Sequence, residues 1–105
     1  MTEVFAETPS PGEQVAVEVR VHGRVQGVGF RYFAHDRACR PQLVGYVQNL
    51  PDGGVRTYAE GARASLEQFA AHLQQGPAGS RVTRVQVEWR PVTGQYERFS
   101  IEPTI

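Results

Sequence analysis

The segment that decides the fold is residues 15–40, VAVEVRVHGRVQGVGFRYFAHDRACR, because its hydrophobic period changes along its length. Valines occupy every second position from residue 15 to residue 21, which predicts a half-buried strand with polar side chains on its other face. After the glycines, a second apolar set has helical spacing and predicts an amphipathic helix ending just before Pro41: Phe30, Phe33, Ala34 and Ala38. The segment is therefore predicted to run from a strand through a glycine-rich turn into a helix.

The remainder of the chain predicts a hairpin, a second helix and further strands. LVGYVQNL (43–50) and VRTYAEG (55–61) predict strands joined by the turn PDGG, since Asp-Gly between apolar runs is typical of a hairpin. Residues 62–77 predict a helix ended by Gly-Pro, with an apolar face of Leu66, Phe69, Ala70 and Leu73. VTRVQVEW (82–89) alternates as a fourth strand, and RFSIE (98–102) predicts a possible short fifth.

This order of elements, β-α-β-β-α-β with a possible short fifth strand, predicts the α+β class and a ferredoxin-like open α/β sandwich. Two helices would pack on one face of a mostly antiparallel sheet, with right-handed crossovers. Residues 1–14 are rich in Pro, Gly and Glu and are expected to form a flexible leader, which leaves residues 15–105 as one domain.

The composition limits the partners that the protein can have. The formal net charge is +0, so no field of the whole molecule attracts nucleic acid or a membrane, and any affinity for an anion must be local. No apolar run has the length of a signal peptide or a membrane span. Cys39 is the single cysteine, which suits a reducing cytoplasm, and it is expected to be a buried or inert thiol. A monomer is the default expectation.

The stretch GRVQGVGFR (23–31) has the features of a site for an oxyanion. Gly27 and Gly29 allow the chain to curl so that several backbone N–H groups converge. The helix that begins near Phe30 adds unpaired N–H groups and the positive end of its dipole, and no Ser, Thr, Asp or Asn is placed to cap it. Arg31 adds a guanidinium fork. The residues alone leave a second interpretation open, a tight turn whose glycines only let the helix pack on the strand.

Better-known phosphate and metal motifs do not fit the chain. A Walker A loop requires a lysine, which the sequence lacks, and the dinucleotide fingerprint requires a glycine at the position of Tyr32. No cluster of Cys, His and Asp has the spacing of metal ligands, so no metal is expected. The histidines are scattered and are expected at the solvated surface: His22, His35 and His72.

Taken together, GRVQGVGFR, GYVQNLPDG, YAEG, QQGP and FSIE resemble the acylphosphatase family over roughly residues 15–102. The resemblance implies hydrolysis of the carboxyl–phosphate bond of acyl phosphates to carboxylate and inorganic phosphate, without metal or other cofactor. Arg31 matches the phosphate-binding arginine of the family, and Asn49 matches the asparagine that positions the attacking water. The amides expected to cradle the phosphate belong to Gln26, Gly27, Val28, Gly29 and Phe30, together with Arg31.

Two positions depart from the family pattern. The corner CRPQL replaces a Leu-Gly-Leu-like corner between the first helix and the second strand, which puts the backbone of that corner in doubt. Gln48 stands where relatives often carry a basic residue, which changes the charge near the mouth of the site. Neither departure removes a group that the chemistry needs.

The resemblance implies in-line attack of a water on phosphorus of a small acyl phosphate, with inorganic phosphate or sulfate as competing anions. One alternative is a non-catalytic acylphosphatase-like module with a regulatory or carbamoyl-phosphate-handling role, since such domains occur inside larger proteins. Another is an RNA-binding RRM-like domain, because QGVGFRYF echoes the RNP1 pattern. That pattern belongs on a strand, however, whereas this segment is predicted to run from a turn into a helix.

Overall fold

The structure is a computed structural model that describes residues 10–104. Its elements follow the predicted order, and the fifth strand is present. They are β1 (Gln14–Arg24), α1 (Phe30–Cys39), β2 (Val44–Asn49), β3 (Val55–Ala62), α2 (Arg63–Gln75), β4 (Arg81–Arg90) and β5 (Phe99–Glu102). The predicted ferredoxin-like α+β fold is confirmed.

The five strands form one mixed sheet in the order β4-β1-β3-β2-β5. β1 lies between β3 and β4 and is antiparallel to both, β2 is antiparallel to β3, and β5 is parallel to β2. The sheet is therefore mostly antiparallel, as predicted. Because β4 and β5 lie at opposite edges, the chain between them must cross the whole sheet.

The main core lies between the two helices and one face of the sheet, which we call the helix face. Val17, Val19 and Val21 of β1 are almost fully buried there, which confirms the alternation predicted for this strand. Both predicted helix faces are confirmed, with Phe33 only partly buried. Their buried residues are Phe30, Ala34 and Ala38 of α1, and Leu66, Phe69, Ala70 and Leu73 of α2.

We call the opposite face of the sheet the open face. It is less exposed than expected, since the prediction of a half-buried strand implies solvent-exposed side chains on this face. Ala16 is fully buried and Glu18 is 7% exposed, although both point away from the helices. Residues 91–98, here the crossing segment, connect the edge strands over this face. Thr93 of that segment is held by Glu60 of β3, and Tyr96 packs on Tyr46 and on Tyr58.

Glu60 is the polar centre of the open face. This buried carboxylate accepts hydrogen bonds from the Tyr58 hydroxyl (2.5 Å), from the amide and hydroxyl of Thr93 (2.9 and 2.7 Å) and from the Gly94 amide (3.3 Å). Burial raises the pKa of Glu60, but these donors outweigh it, and the pKa lies below its usual 4.5. Burial and the bond to Glu60 raise the pKa of Tyr58 to about 12.

β4 keeps the predicted alternation but lies at an edge that the helices cover incompletely. Val87 and Trp89 pair with the buried valines Val19 and Val17 of β1, so they belong to the helix face. Each nevertheless remains 41% exposed. The Arg63 guanidinium at the start of α2 covers part of the Trp89 ring, 5.8 Å from its centroid.

The corner CRPQL (residues 39–43), which departs from the family pattern, uses a left-handed backbone conformation of the kind that glycine usually provides. Gln42 has a φ of 58°, in the left-handed region that favours glycine. The Leu43 amide donates to the Ala38 carbonyl (2.9 Å) and ends α1 in the manner of a left-handed helix cap. The corner therefore forms with Gln42 in a backbone conformation that is strained for a residue other than glycine.

Two sequence predictions concern residues outside the core: the state of the Cys39 thiol and the flexible leader at residues 1–14. Cys39 is predicted to be a buried or inert thiol, and its exposure rules out the buried alternative: it follows the buried Ala38 by one position, which turns its side chain away from the apolar stripe of α1. Its sulfur lies 3.7 Å from the His35 ring. Of the predicted leader, residues 1–9 lie outside the described residues. The Pro11 carbonyl accepts a bond from the Ala64 amide at the start of α2.

Candidate active site

The residues predicted for the site converge at one end of the sheet, on the helix face. The loop 25–29 leaves β1 there and enters α1, and the turn 50–54 joins β2 to β3 beside it. A cavity of about 160 Å³ lies between them. Its lining residues are Val25, Gly27, Gly29, Phe30, Arg31, Tyr32 and Asn49. The structure thus brings together both predicted catalytic residues and both glycines of the predicted phosphate loop.

The loop 25–29 presents backbone donors without internal acceptors. Gly27 and Gly29 have φ values of 75° and 79°, so both positions use the left-handed conformation that glycine permits. Within the described chain, no N–H group from Gln26 to Arg31 donates a hydrogen bond to the protein. Gly29 caps α1 without a side-chain bond, as predicted from the lack of a capping residue. The arrangement suits an anion at a helix N-terminus.

Arg31 lies in the first turn of α1 and is half-buried. Its Nη1 donates a long hydrogen bond (3.4 Å) to the carbonyl of Glu102 at the end of β5. That contact uses one of the five N–H donors of the guanidinium. The remaining donors leave Arg31 able to bind an anion held by the loop amides.

Asn49 is the last residue of β2, and its backbone pairs with Val55 of β3. It lies two residues after the buried Val47, so both belong to the helix face of the sheet. Within residues 10–104 its side chain has no hydrogen-bond partner. A neutral carboxamide at the mouth of the cavity can both donate to and accept from a water.

Gln26 differs from the other predicted loop residues, because its side chain has a role that the sequence did not indicate. Its Nε2 donates to the carbonyls of Leu50 and Gly54, each at 2.8 Å. The prediction assigned only its backbone amide to the phosphate. Both acceptors are main-chain atoms of a distant turn, and no residue type in the sequence marks them.

Charge around the cavity comes from arginine, and no metal cluster is present in the described part of the chain. Among residues 10–104 no three His, Cys, Asp or Glu side chains are grouped to hold a metal ion. Gln48 points to the open face, where its Oε1 accepts from Arg56 Nη2 (3.1 Å) and its Nε2 donates to the Pro103 carbonyl (2.9 Å). The Gln48 side chain therefore bonds to Arg56 and Pro103 on the open face and does not line the cavity.

A cavity of about 420 Å³ on the open face lacks the features of a phosphate site. It is lined by Glu18, Arg20, Gln86, Val87 and Glu88. Its arginine already pairs with Glu18 (2.8 Å), and two carboxylates in the lining would repel an anion.

Among the described residues no helix is long and apolar enough to cross a membrane.

Comparison with known proteins identifies the family. The model of the acylphosphatase family matches residues 17–101. An acylphosphatase of Syntrophotalea carbinolica is 44% identical over a match covering 83% of this chain and 95% of the relative. The crystal structure of an acylphosphatase from Bacillus subtilis superposes with a TM-score of 0.81 at 39% identity, covering 84% of this chain and 98% of that one.

A third similarity is to a segment of a much larger protein. The crystal structure of full-length HypF in its phosphate- and nucleotide-bound form matches with a TM-score of 0.80 at 29% identity. The match covers 93% of this chain but 13% of HypF. In contrast, the stand-alone relatives are matched over nearly their full length. The chain belongs to the acylphosphatase family and is an enzyme that hydrolyses acyl phosphates.

Proposed function

We propose that the loop amides and Arg31 hold the phosphate of the acyl phosphate while Asn49 directs a water at phosphorus, in line with the leaving carboxylate. The observation that supports this proposal is the single cavity lined by Gly27, Gly29, Arg31 and Asn49. Two separate segments of the chain contribute to it: residues 25–32 supply the loop amides and the Arg31 guanidinium, and β2 supplies the Asn49 carboxamide.

The loop and Arg31 supply the electrostatic part of the reaction. The unpaired amides from Gln26 to Arg31 form a preorganised set of donors, and the guanidinium adds a fixed positive charge. Charge on the equatorial oxygens of the transferred phosphoryl group grows or redistributes in the transition state, so fixed donors lower the barrier without rearranging.

Asn49 supplies the orientation of the nucleophile. Its carboxamide is neutral, so it does not repel the phosphate as a carboxylate base would. An acyl phosphate is a mixed anhydride whose carboxylate leaves readily, so the protein needs no strong acid. The substrate phosphate or the departing carboxylate can take up the proton from the water.

The size of the cavity bears on substrate choice. At about 160 Å³ it is smaller than the roughly 300–1,000 Å³ of pockets that enclose a drug-sized ligand. The phosphate therefore lies inside the cavity and the acyl group extends into solvent. We infer broad tolerance for the acyl group, with inorganic phosphate and sulfate as competitors for the same donors.

The protein is proposed to act in the cytoplasm as a monomer. The exposed, unpaired thiol of Cys39 supports a reducing compartment. The non-catalytic alternative does not explain why Arg31 and Asn49 line the same cavity. The RNA-binding alternative is disfavoured because QGVGFRYF lies in the loop and in α1, not on a strand.

The assay that tests this proposal follows hydrolysis of benzoyl phosphate or acetyl phosphate, with inorganic phosphate and sulfate as inhibitors. Arg31→Ala should weaken phosphate inhibition and turnover together, because the guanidinium binds the phosphate in the ground and transition states. Arg31→Lys should rescue little, since a point charge does not reproduce the planar fork. Wild-type kinetics in the lysine variant would contradict the role given to the fork.

A further inference from the structure

The carboxamide of Gln26 connects the two halves of the active site. We propose that Gln26 is a positioning residue: it sets the distance between the amides that take the phosphate and the Asn49 side chain that directs the water. The inference rests on the proposed function, because it requires Asn49 to act on the nucleophile.

The contacts of Gln26 fall on both sides of Asn49. Nε2 has two hydrogens, and it donates to the carbonyls of Leu50 and Gly54, each at 2.8 Å. Leu50 follows Asn49 directly, and Gly54 precedes Val55, the cross-strand partner of Asn49. A single side chain of the phosphate loop therefore holds the hairpin immediately next to the Asn49–Val55 pair.

The turn 50–54 does not need Gln26 in order to close. The Leu50 amide donates to the Gly54 carbonyl (2.8 Å), and the Gly53 amide donates to the Leu50 carbonyl (3.1 Å). The Gly54 amide is satisfied by the Asp52 carboxylate (2.8 Å). The two bonds from Gln26 are additional to this closed turn, so their effect is to fix the turn relative to the loop.

No other hydrogen bond makes this connection within residues 10–104. No backbone–backbone hydrogen bond joins the loop 25–29 to the turn 50–54 there. Gln26 is partly buried, as are both of its hydrogen bonds, which limits competition from solvent. Without the carboxamide, no direct hydrogen bond would join the loop to the turn, and their separation would be set only indirectly, through the pairing of β1 with β3 and through side-chain packing.

The expected consequence is selective for the chemical step. The phosphate donors all lie on the continuous unit of loop 25–29 and α1, which Gln26 does not need to hold together. Asn49 lies on the other side of the link. A displacement of the nucleophile by about 1 Å can cost ~10²-fold in rate, whereas phosphate affinity depends on the loop side.

The test is Gln26→Met, which keeps the length of the side chain and removes both donors. We expect kcat to fall by about 10- to 100-fold, while the inhibition constant of inorganic phosphate changes by less than about threefold. Gln86→Met is the matched control, since its exposed side chain bonds to His22 (3.3 Å) on the open face, away from the cavity, and its kcat should be unchanged. Gln26→Asn, one methylene too short to reach both carbonyls, gives a second variant if the methionine protein does not fold.

A double-mutant cycle separates positioning of Asn49 from a general loss of structure. In the Asn49→Ala background, Gln26→Met should lower kcat by less than about twofold more, because there is no amide left to position. Fully additive losses, or equal losses in kcat and phosphate affinity, would overturn the inference. If Asn49→Ala lowers kcat and Gln26→Met does not, this inference alone fails. If Asn49→Ala retains kcat, the proposed role of Asn49 fails, and the role of Gln26 fails with it.

Discussion

The loop 25–29 and the turn 93–95 of the crossing segment are both irregular, and each contains glycine with positive φ, but their N–H groups have opposite fates. In the crossing segment the amides of Thr93 and Gly94 donate to Glu60, and that of Gln95 donates to the Thr93 hydroxyl. In the loop, the amides from Gln26 to Arg31 have no acceptor within the described chain. Satisfied donors stabilise a fold, whereas converging unsatisfied donors are available to a ligand.

The strongest test on the loop side of this comparison is Asn49→Ala. We expect kcat to fall by ~10²–10³-fold, as for the loss of one oriented transition-state donor. The inhibition constant of phosphate should change little, because Arg31 and the loop amides remain, and the thermal midpoint should be close to that of the wild type. The three quantities should be measured on one preparation. A retained kcat with a lower midpoint would make Asn49 a structural turn residue.

Glu60→Gln tests the crossing segment. In contrast to Asn49→Ala, it should lower the stability of the fold and leave kcat unchanged. The substitution removes a charged acceptor of four hydrogen bonds, so we expect a loss of roughly 1–3 kcal/mol in the free energy of unfolding. kcat should be unchanged at a temperature where the variant is folded, since Glu60 lies at the end of β3 remote from Asn49. Denaturant unfolding and the hydrolysis assay measure the two effects.

The same substitution has a defined pH dependence. The pKa of Glu60 is lowered in the folded protein, so the carboxylate adds stability above its usual pKa of 4.5, and that stability is lost as the pH falls through the folded value. The stability difference between wild type and Glu60→Gln should therefore shrink below about pH 4.5. Glu67→Gln is the control, because its exposed pair with Arg63 contributes little. If the stability difference between wild type and Glu60→Gln does not change with pH, the charge of Glu60 is not the source of its stabilising effect.

Gln42→Gly should have a smaller effect of opposite sign. Relief of the left-handed backbone at Gln42 outweighs the added freedom of glycine in the unfolded chain, so we expect a gain of roughly 0.5–1 kcal/mol. Gln68→Gly, the same change within α2, should instead lose about 1 kcal/mol. Thermal melts of the two variants measure the contrast, and two losses would mean that Gln42 is not strained.

The smallest expected effect is that of a chelator, for which we predict none. The proposed chemistry uses amides, a guanidinium and a carboxamide, so incubation with a chelator should leave kcat unchanged. Loss of activity that zinc or magnesium restores would show that the loop donors are not sufficient to bind the phosphate.

The sequence predicted those features that depend on local period and local backbone chemistry. Geometry within a few residues is specified by the alternating valines, by the paired glycines and by the helical spacing of Phe30, Ala34 and Ala38. The part of Asn49 in the site came from the resemblance, because an asparagine before Asp-Gly is also an ordinary turn residue. Only the three-dimensional structure shows that Asn49 lies in the cavity beside Arg31.

The features that the sequence could not predict depend on distant main-chain atoms. Glu60 is buried because amides 33 and 34 residues away cover it, and PVTGQYER has no period that indicates where it lies. The side chain of Gln26 reaches carbonyls 24 and 28 residues away. Every residue has such a carbonyl, so neither partner leaves a signature in the sequence.

The strand order also determines when the protein can fold during its synthesis. β1 is made first among the strands, yet it lies in the interior of the sheet between β3 and β4. Its first neighbour, β3, ends at Ala62 and its second, β4, ends at Arg90, so β1 lacks one of its two partners until Arg90 has been made. Such non-local pairing slows folding and leaves apolar strands exposed on the way.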